Sequence, residues 1–258
     1  MRSIAKLMKD WQFTGPNGVT TAVDLPHTWN ARDGQDGGND YWRGCCTYCT
    51  RFAAPVYDPA QQQVWLQFEG VNASAAVLLN GQQLCTHDGG YSTFRAEVTE
   101  LLQAENQLTV RVDNSVNDHV YPQKADFTFY GGIYRDVSLL VVNKNHIALG
   151  HVGDTGVKIT PALQENSADI RVETLVEGSG TVTVELLDAE GRTAAKGEGE
   201  NASLHLDAPH LWNGVKDPYL YTCVVRLLQD GKPVDEVTTK VGLRSFSVDP
   251  KKGFFLNG

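Results

Sequence analysis

Two stretches of the sequence, DGGNDYWRG at residues 36–44 and YPQKADFTFYGGIYRDV at residues 121–137, set aromatic side chains among Asp, Asn and Arg. That mixture suits a pyranose ring. Aromatic faces stack on the sugar's C–H surface while carboxylates, amides and guanidinium groups hydrogen-bond its hydroxyls. The same aromatics, Trp42, Phe127, Phe129, Tyr130 and Tyr134, serve equally well as the core and rim of a β-sandwich, and residue types alone leave both readings open.

The densest cysteine feature is GCCTYC at residues 44–49. Cys46-x-x-Cys49 has the spacing of half a zinc site, but a second pair is missing and no helix N-terminus is legible beside it to lower a thiol pKa. The expectation is small buried hydrophobes, with no metal site. Five cysteines at irregular spacing, Cys45, Cys46, Cys49, Cys85 and Cys223, suit reduced thiols better than a disulfide framework. The seven histidines are scattered without a ligand spacing and read as solvated loop residues. Asn72-Ala73-Ser74 and Asn201-Ala202-Ser203 match the glycosylation triplet, which carries little weight without a secretory leader.

Bulk composition narrows the partners. With 258 residues, 41% hydrophobic and 21% charged, the chain is long enough for one large or two ordinary globular domains. A formal charge of −9, with only Lys251-Lys252 as a basic cluster, argues against nucleic acid and anionic membranes. Neutral sugars remain acceptable. The opening MRSIAKLMKDWQF has neither the apolar core nor the small-residue cleavage site of a signal peptide, and no apolar run is long enough to span a bilayer as a helix. The expected location is the cytoplasm.

The elements that must position the two aromatic loops read as strands. Val64, Leu66 and Phe68 alternate with polar neighbours, as do Leu108, Val110 and Val112, which is the period of a half-buried strand. IRVETLV (170–176), TVTVEL (181–186), YTCVVRLL (221–228) and EVTTKVGL (236–243) repeat the style between glycine-rich turns. Leu79-Asn80-Gly81-Gln82 predicts a tight hairpin turn with positive φ at Asn80 and Gly81. Only VTELLQ near residues 98–103 offers a helical turn. The fold class is therefore all-β, with a boundary between about residues 143 and 150, where the apolar Val137–Val142 run gives way to polar residues and glycines. A jelly-roll-like β-sandwich is expected first, and an immunoglobulin-like β-sandwich of roughly seven short strands second.

Taken in order, LPHTWNARDGQDGGNDYWRG, VNASAAVLLNGQQLCTHDGGYSTF, NQLTVRVDN, DFTFYGGIYRDVSL, LWNGVKDPYLYTCVV and VGLRSFSVDPKKGFFLNG resemble the N-terminal part of glycoside hydrolases of family 2, the β-galactosidases, β-glucuronidases and β-mannosidases. The resemblance implies a sugar-binding-like jelly roll over residues 1–145, an immunoglobulin-like domain over 146–248, and at 249–258 the start of a link into a catalytic (β/α)8 barrel. Such enzymes use two carboxylates about 5 Å apart as nucleophile and acid/base. The family's acid/base Glu follows an Asn, and the chain contains no Asn-Glu dipeptide, so no catalytic residue is assigned and the chain alone is expected to be inactive. The resemblance also implies substrate-binding roles for Asp126, with Asn39 and Asp40 as companions. It implies a β-galactoside substrate first, from the Tyr-Gly-Gly-Ile-Tyr-Arg motif, with a β-glucuronide second. The chain itself is expected to hold no cofactor, while the full-length active site has room for a cation and an oligomer is allowed. Two other classes compete: a stand-alone carbohydrate-binding module, which would bind sugar by itself, and a purely structural pair of sandwiches, which would not.

Overall fold

The computed structural model describes residues 1–31, 41–122, 125, 127–150 and 153–258. Among them the only helical element is a single 3-10 turn, Thr99–Leu101, within the stretch read as a helical turn. All other regular structure is β-strand, in two compact units: Ser3–Val141, and Met1–Arg2 with Val142–Gly258.

The Ser3–Val141 unit is a β-sandwich. One layer is a six-stranded sheet in the order Thr20–Val23, Trp11–Thr14, Cys45–Ala53, Glu105–Asp113, Ser74–Leu79, Gln82–Asp88. The other has four strands, Ser3–Lys6, Val137–Asn143, Gln62–Phe68 and Phe94–Glu97. Alternation does what the sequence promised: Val64, Leu66, Phe68, Leu108, Val110 and Val112 all lose their solvent contact to one shared core with Trp11, Tyr48 and Val77. Burying each such side chain contributes about 1.5–3 kcal/mol. Leu79 pairs with Gln82 across Asn80 (φ 53°) and Gly81 (φ 84°), the turn expected from Asn-Gly.

A third, small antiparallel sheet fixes the loops at one rim of this unit. Its middle strand, Gly132–Ile133, pairs with His27–Thr28 on one side and Val71–Asn72 on the other. Two glycines make this possible. A Cβ on Gly131 would lie 2.0 Å from the Trp29 ring, and one on Gly132 would lie 2.4 Å from the His27 carbonyl oxygen, at a φ of 141° that side chains rarely adopt.

The second unit is also a β-sandwich, with three strands (Val157–Leu163, Ser167–Thr174, Asn201–Asp207) against four (Thr193–Glu198, Thr181–Leu187, Tyr221–Gln229, Lys232–Val241). Ile170, Val172 and Leu204 meet Val184, Leu186, Val225 and Leu227 in its core. Asp235 is fully buried there. Its carboxylate accepts from Arg2 Nε at 2.8 Å and Nη2 at 2.5 Å, and from the Ile147 amide at 2.8 Å.

Candidate functional site

The described parts of the two polar-aromatic loops, residues 41–44 and 127–131, meet at the rim built by the small sheet, and three buried asparagines hold them there. Asn30, Asn114 and Asn72 are 0%, 2% and 4% exposed. Asn30 Nδ2 donates to the Trp42 carbonyl at 2.9 Å, and its Oδ1 accepts from the Gly131 amide at 2.7 Å and from Asn114 Nδ2 at 3.1 Å. Asn114 Nδ2 also donates to the Phe129 carbonyl at 3.1 Å, while its Oδ1 accepts from the Gly44 amide at 2.9 Å. Asn72 Nδ2 donates to the Tyr130 carbonyl at 2.7 Å. Carbonyls 42, 129 and 130 and amides 44 and 131 thus have partners without a regular ladder, as irregular backbone beside a core requires. An amide side chain fits because it both donates and accepts.

Held this way, the loops present aromatic surface outward. Tyr121 (74% exposed), Phe127 (52%), Trp42 and Tyr130 (both 38%) are open to solvent. Phe127 and Phe129 pack with centroids 5.0 Å apart, and the Arg43 guanidinium lies 4.7 Å from the Phe129 ring and 4.9 Å from the Tyr41 ring. The rim therefore offers exposed ring faces and a positioned cation, groups able to stack on an apolar face and to donate hydrogen bonds. Behind it, Arg135 Nη1 donates to the Tyr91 carbonyl at 3.2 Å, and the Tyr134 hydroxyl donates to the Gly90 carbonyl. Burial pushes the Tyr134 phenol up to about 12. His27 Nδ1 lies 2.7 Å from the Tyr48 hydroxyl; burial lowers the His27 pKa and raises that of Tyr48, so the pair is held neutral at pH 7. Beside the rim a cleft of about 440 Å³ opens between Phe13, Thr21, His27 and Trp29, with Phe13 and Trp29 stacked 6.0 Å apart.

Of the residues expected from sequence to touch substrate, Asp126, Asn39 and Asp40 lie outside the described residues. The asparagines that hold the rim were missed. One of them, Asn72, appears in the sequence as a glycosylation triplet, but its amide nitrogen is spent inside the fold. Cys46 and Cys49 project to opposite faces of one strand, since three residues is an odd step in a period of two. That separation rules them out as a chelating pair. Only Cys46 of the GCCTYC trio is buried, and burial pushes its thiol up to about 12; Cys45 is exposed and Cys49 half-buried. The histidines are not uniformly solvated either. His146 is fully buried in a strand, with Nε2 3.7 Å from Glu177 Oε2 and neither ring nitrogen hydrogen-bonded among the described residues.

Two β-sandwiches, the first with a glycine-threaded aromatic rim, define the class of protein. The sequence profile described as glycosyl hydrolase 2 galactose-binding domain-like matches residues 37–172, and that of glycosyl hydrolases family 2 matches residues 150–244. The chain belongs to glycosyl hydrolase family 2. It is 36% identical to a β-glucuronidase of Bacteroides fragilis over 98% of its own length and 39% of the relative's. Against a β-galactosidase of Bacteroides ovatus it is 33% identical over 96% of its length and 32% of the relative's. Among solved structures it matches an FMN-binding β-glucuronidase from Facaelibacterium prausnitzii with a TM-score of 0.94 at 36% identity, covering 100% of this chain and 42% of that one. The chain thus spans about two fifths or less of these relatives.

Proposed function

We propose that this chain is the non-catalytic N-terminal part of a retaining β-glycosidase, and that its aromatic rim forms one wall of the sugar site in the full-length enzyme. The observation that carries the reading is the unbroken family match over residues 37–244, in relatives that continue far beyond it. On this reading the two carboxylates of retaining hydrolysis come from the remainder of the protein. The Trp42, Phe129 and Tyr130 loops supply surface and position, and Asp126, with Asn39 and Asp40, reaches toward sugar hydroxyls.

A β-glucuronide is the first substrate to test, because the Bacteroides fragilis relative and the Facaelibacterium prausnitzii structure, each 36% identical, carry the name β-glucuronidase. A β-galactoside is the second reading, favoured by the Bacteroides ovatus relative and by Tyr130-Gly131-Gly132-Ile133-Tyr134-Arg135. The test is a panel of chromogenic β-glycosides given to the full-length protein, with the anomer of the released sugar followed by NMR. Hydrolysis of one or both with retention is expected. No turnover of any β-glycoside, or inversion at the anomeric carbon, would contradict the proposal.

A further inference from the structure

The cleft beside the rim has an aromatic floor set in place by the backbone around it. Phe13 stands on Trp11–Thr14 and pairs across the hairpin with Thr21, while His27 lies on the strand His27–Thr28 and Trp29 just after it. The Phe13 and Trp29 rings are nearly parallel, 17° between planes with centroids 6.0 Å apart, and the His27 ring tilts against Phe13 at 4.8 Å. Trp29 is fixed from behind: its amide donates to the Gly131 carbonyl at 3.3 Å, and its ring fills the space that a Gly131 side chain would need. A floor held in this way is preorganised for a flat apolar ring.

What borders the floor narrows the ligand. No Asp, Glu, Lys or Arg lines the cleft, and burial lowers the His27 pKa, so its ring is neutral at pH 7. A charged ligand would be desolvated there without a counter-ion. The other polar groups are largely spent on the fold: Thr28 Oγ1 donates to the Gly131 carbonyl at 2.7 Å and accepts from the Asn30 amide at 3.2 Å, and Asn17 Oδ1 accepts from the Val19 amide at 3.0 Å. A pyranose, with hydroxyls around its ring, would leave several of them unpaired. One imidazole nitrogen is open. His27 Nδ1 lies 2.7 Å from the Tyr48 hydroxyl, whereas Nε2 has no hydrogen-bond partner among the described residues and is not sealed from solvent. Nε2 donates in one tautomer and accepts in the other, and a hydroxyl group suits both. At about 440 Å³ the cleft falls toward the small end of the range of small-molecule sites, about 300–1,000 Å³, with room for about two fused rings.

We infer that this cleft is a binding site for a small, uncharged aromatic molecule bearing a hydroxyl group, which stacks on Phe13 and Trp29 and hydrogen-bonds to His27 Nε2. The site is additional to the aromatic rim and goes beyond the glycosidase reading, since its recognition groups are neutral rings and one imidazole nitrogen rather than a set of partners for sugar hydroxyls.

Ligand-observed NMR of the full-length protein with 2-naphthol tests it. Saturation transfer and a Kd of about 1 mM or tighter are expected. 2-Naphthoate, which adds a charge, and decahydro-2-naphthol, which keeps the hydroxyl and the size but loses the π face, should each bind about tenfold more weakly or worse. Thr21 is exposed on its strand, so Thr21→Phe sets a ring over the cleft at a position where a strand accepts one; it should weaken 2-naphthol by about tenfold or more with Tm unchanged. A second measurement needs no variant: 2-naphthol should slow hydroxyl-radical oxidation of Trp29 and leave Trp212 unaffected. Saturating methyl β-D-glucuronide should leave the Kd of 2-naphthol unchanged. Absence of 2-naphthol binding, equal affinity for all three compounds, wild-type affinity in Thr21→Phe or unprotected Trp29 would each overturn the inference. Displacement of 2-naphthol by the glucuronide would overturn it too, because the ligand would then occupy the sugar site.

Discussion

Asn30→Ala should cost the first unit a large part of its stability while leaving its strands intact. The side chain is completely buried, and its loss removes the acceptor of the Gly131 N–H (2.7 Å) and of Asn114 Nδ2 (3.1 Å) and the donor to the Trp42 carbonyl (2.9 Å); Asn114 Nδ2 keeps its bond to the Phe129 carbonyl, so the two backbone groups carry most of the cost. A buried group left without its partner costs about 1–3 kcal/mol, so the pair amounts to about 2–6 kcal/mol. Trp42 is 38% exposed, and water can reach its carbonyl once the amide is gone. The lower half of that range, about 2–4 kcal/mol, is therefore expected. For a unit of this size that is a Tm lowered by about 8–15 °C. Urea unfolding with tryptophan fluorescence gives the free energy, and hydrogen exchange at the Gly131 amide reports the local effect. Asn30→Asp separates donor from packing: it keeps an acceptor for Gly131 but sets a carboxylate oxygen against the Trp42 carbonyl. Its loss should be comparable at neutral pH and partly recovered as pH falls and the acid gains a proton to donate. A change below about 0.5 kcal/mol, the range of ordinary surface substitutions, or a Gly131 amide that exchanges no faster, would refute the claim that Asn30 holds the rim.

Arg2→Ala should destabilise the second unit by about 3–5 kcal/mol, because it strips a fully buried Asp235 carboxylate of its guanidinium partner; chemical denaturation measures it. His205 should titrate above the ordinary histidine range, since Asp169, 2.6 Å away, and then Asp207 favour its protonated form. The sign follows from that upward shift: what these exposed pairs contribute is complete below the unfolded histidine pKa and is lost as pH rises through the folded value. NMR titration should find the shift and should find it gone in Asp169→Asn. In the full-length enzyme Asp126→Ala should lower kcat/KM by about tenfold or more, the scale of one lost charge-assisted hydrogen bond, and wild-type kinetics would retire its role.

The strands were legible because their information is local. Val64, Leu66 and Phe68, or Leu108, Val110 and Val112, announce a buried face through spacing alone, and Asn80-Gly81 announces its turn through positive φ. The composition of the rim was legible too, as two stretches that concentrate aromatics with Asp, Asn and Arg. What holds it was not. Asn30 bonds to a residue 101 positions away, Asn72 to one 58 away, and Asn114 to one 15 away. A single Asn at a strand end looks the same whether it caps a turn, faces water or clamps a distant loop. Gly131 and Gly132 showed as a motif without a reason, which became visible only once the Trp29 ring and the His27 carbonyl were in place beside them. His146 failed in the opposite direction, because scattered histidines carry no periodic signal of burial.

The most direct measurement compares the full-length protein and the 258-residue chain at equal molar concentration, in one chromogenic assay containing both a β-glucuronide and a β-galactoside. On the proposed reading both catalytic carboxylates lie outside these residues, so the full-length protein should turn over at least one substrate and the 258-residue chain neither, a difference of several orders of magnitude. Turnover that co-purifies with the 258-residue chain through successive columns would contradict the account, because an acid/base pair would then have to lie within it.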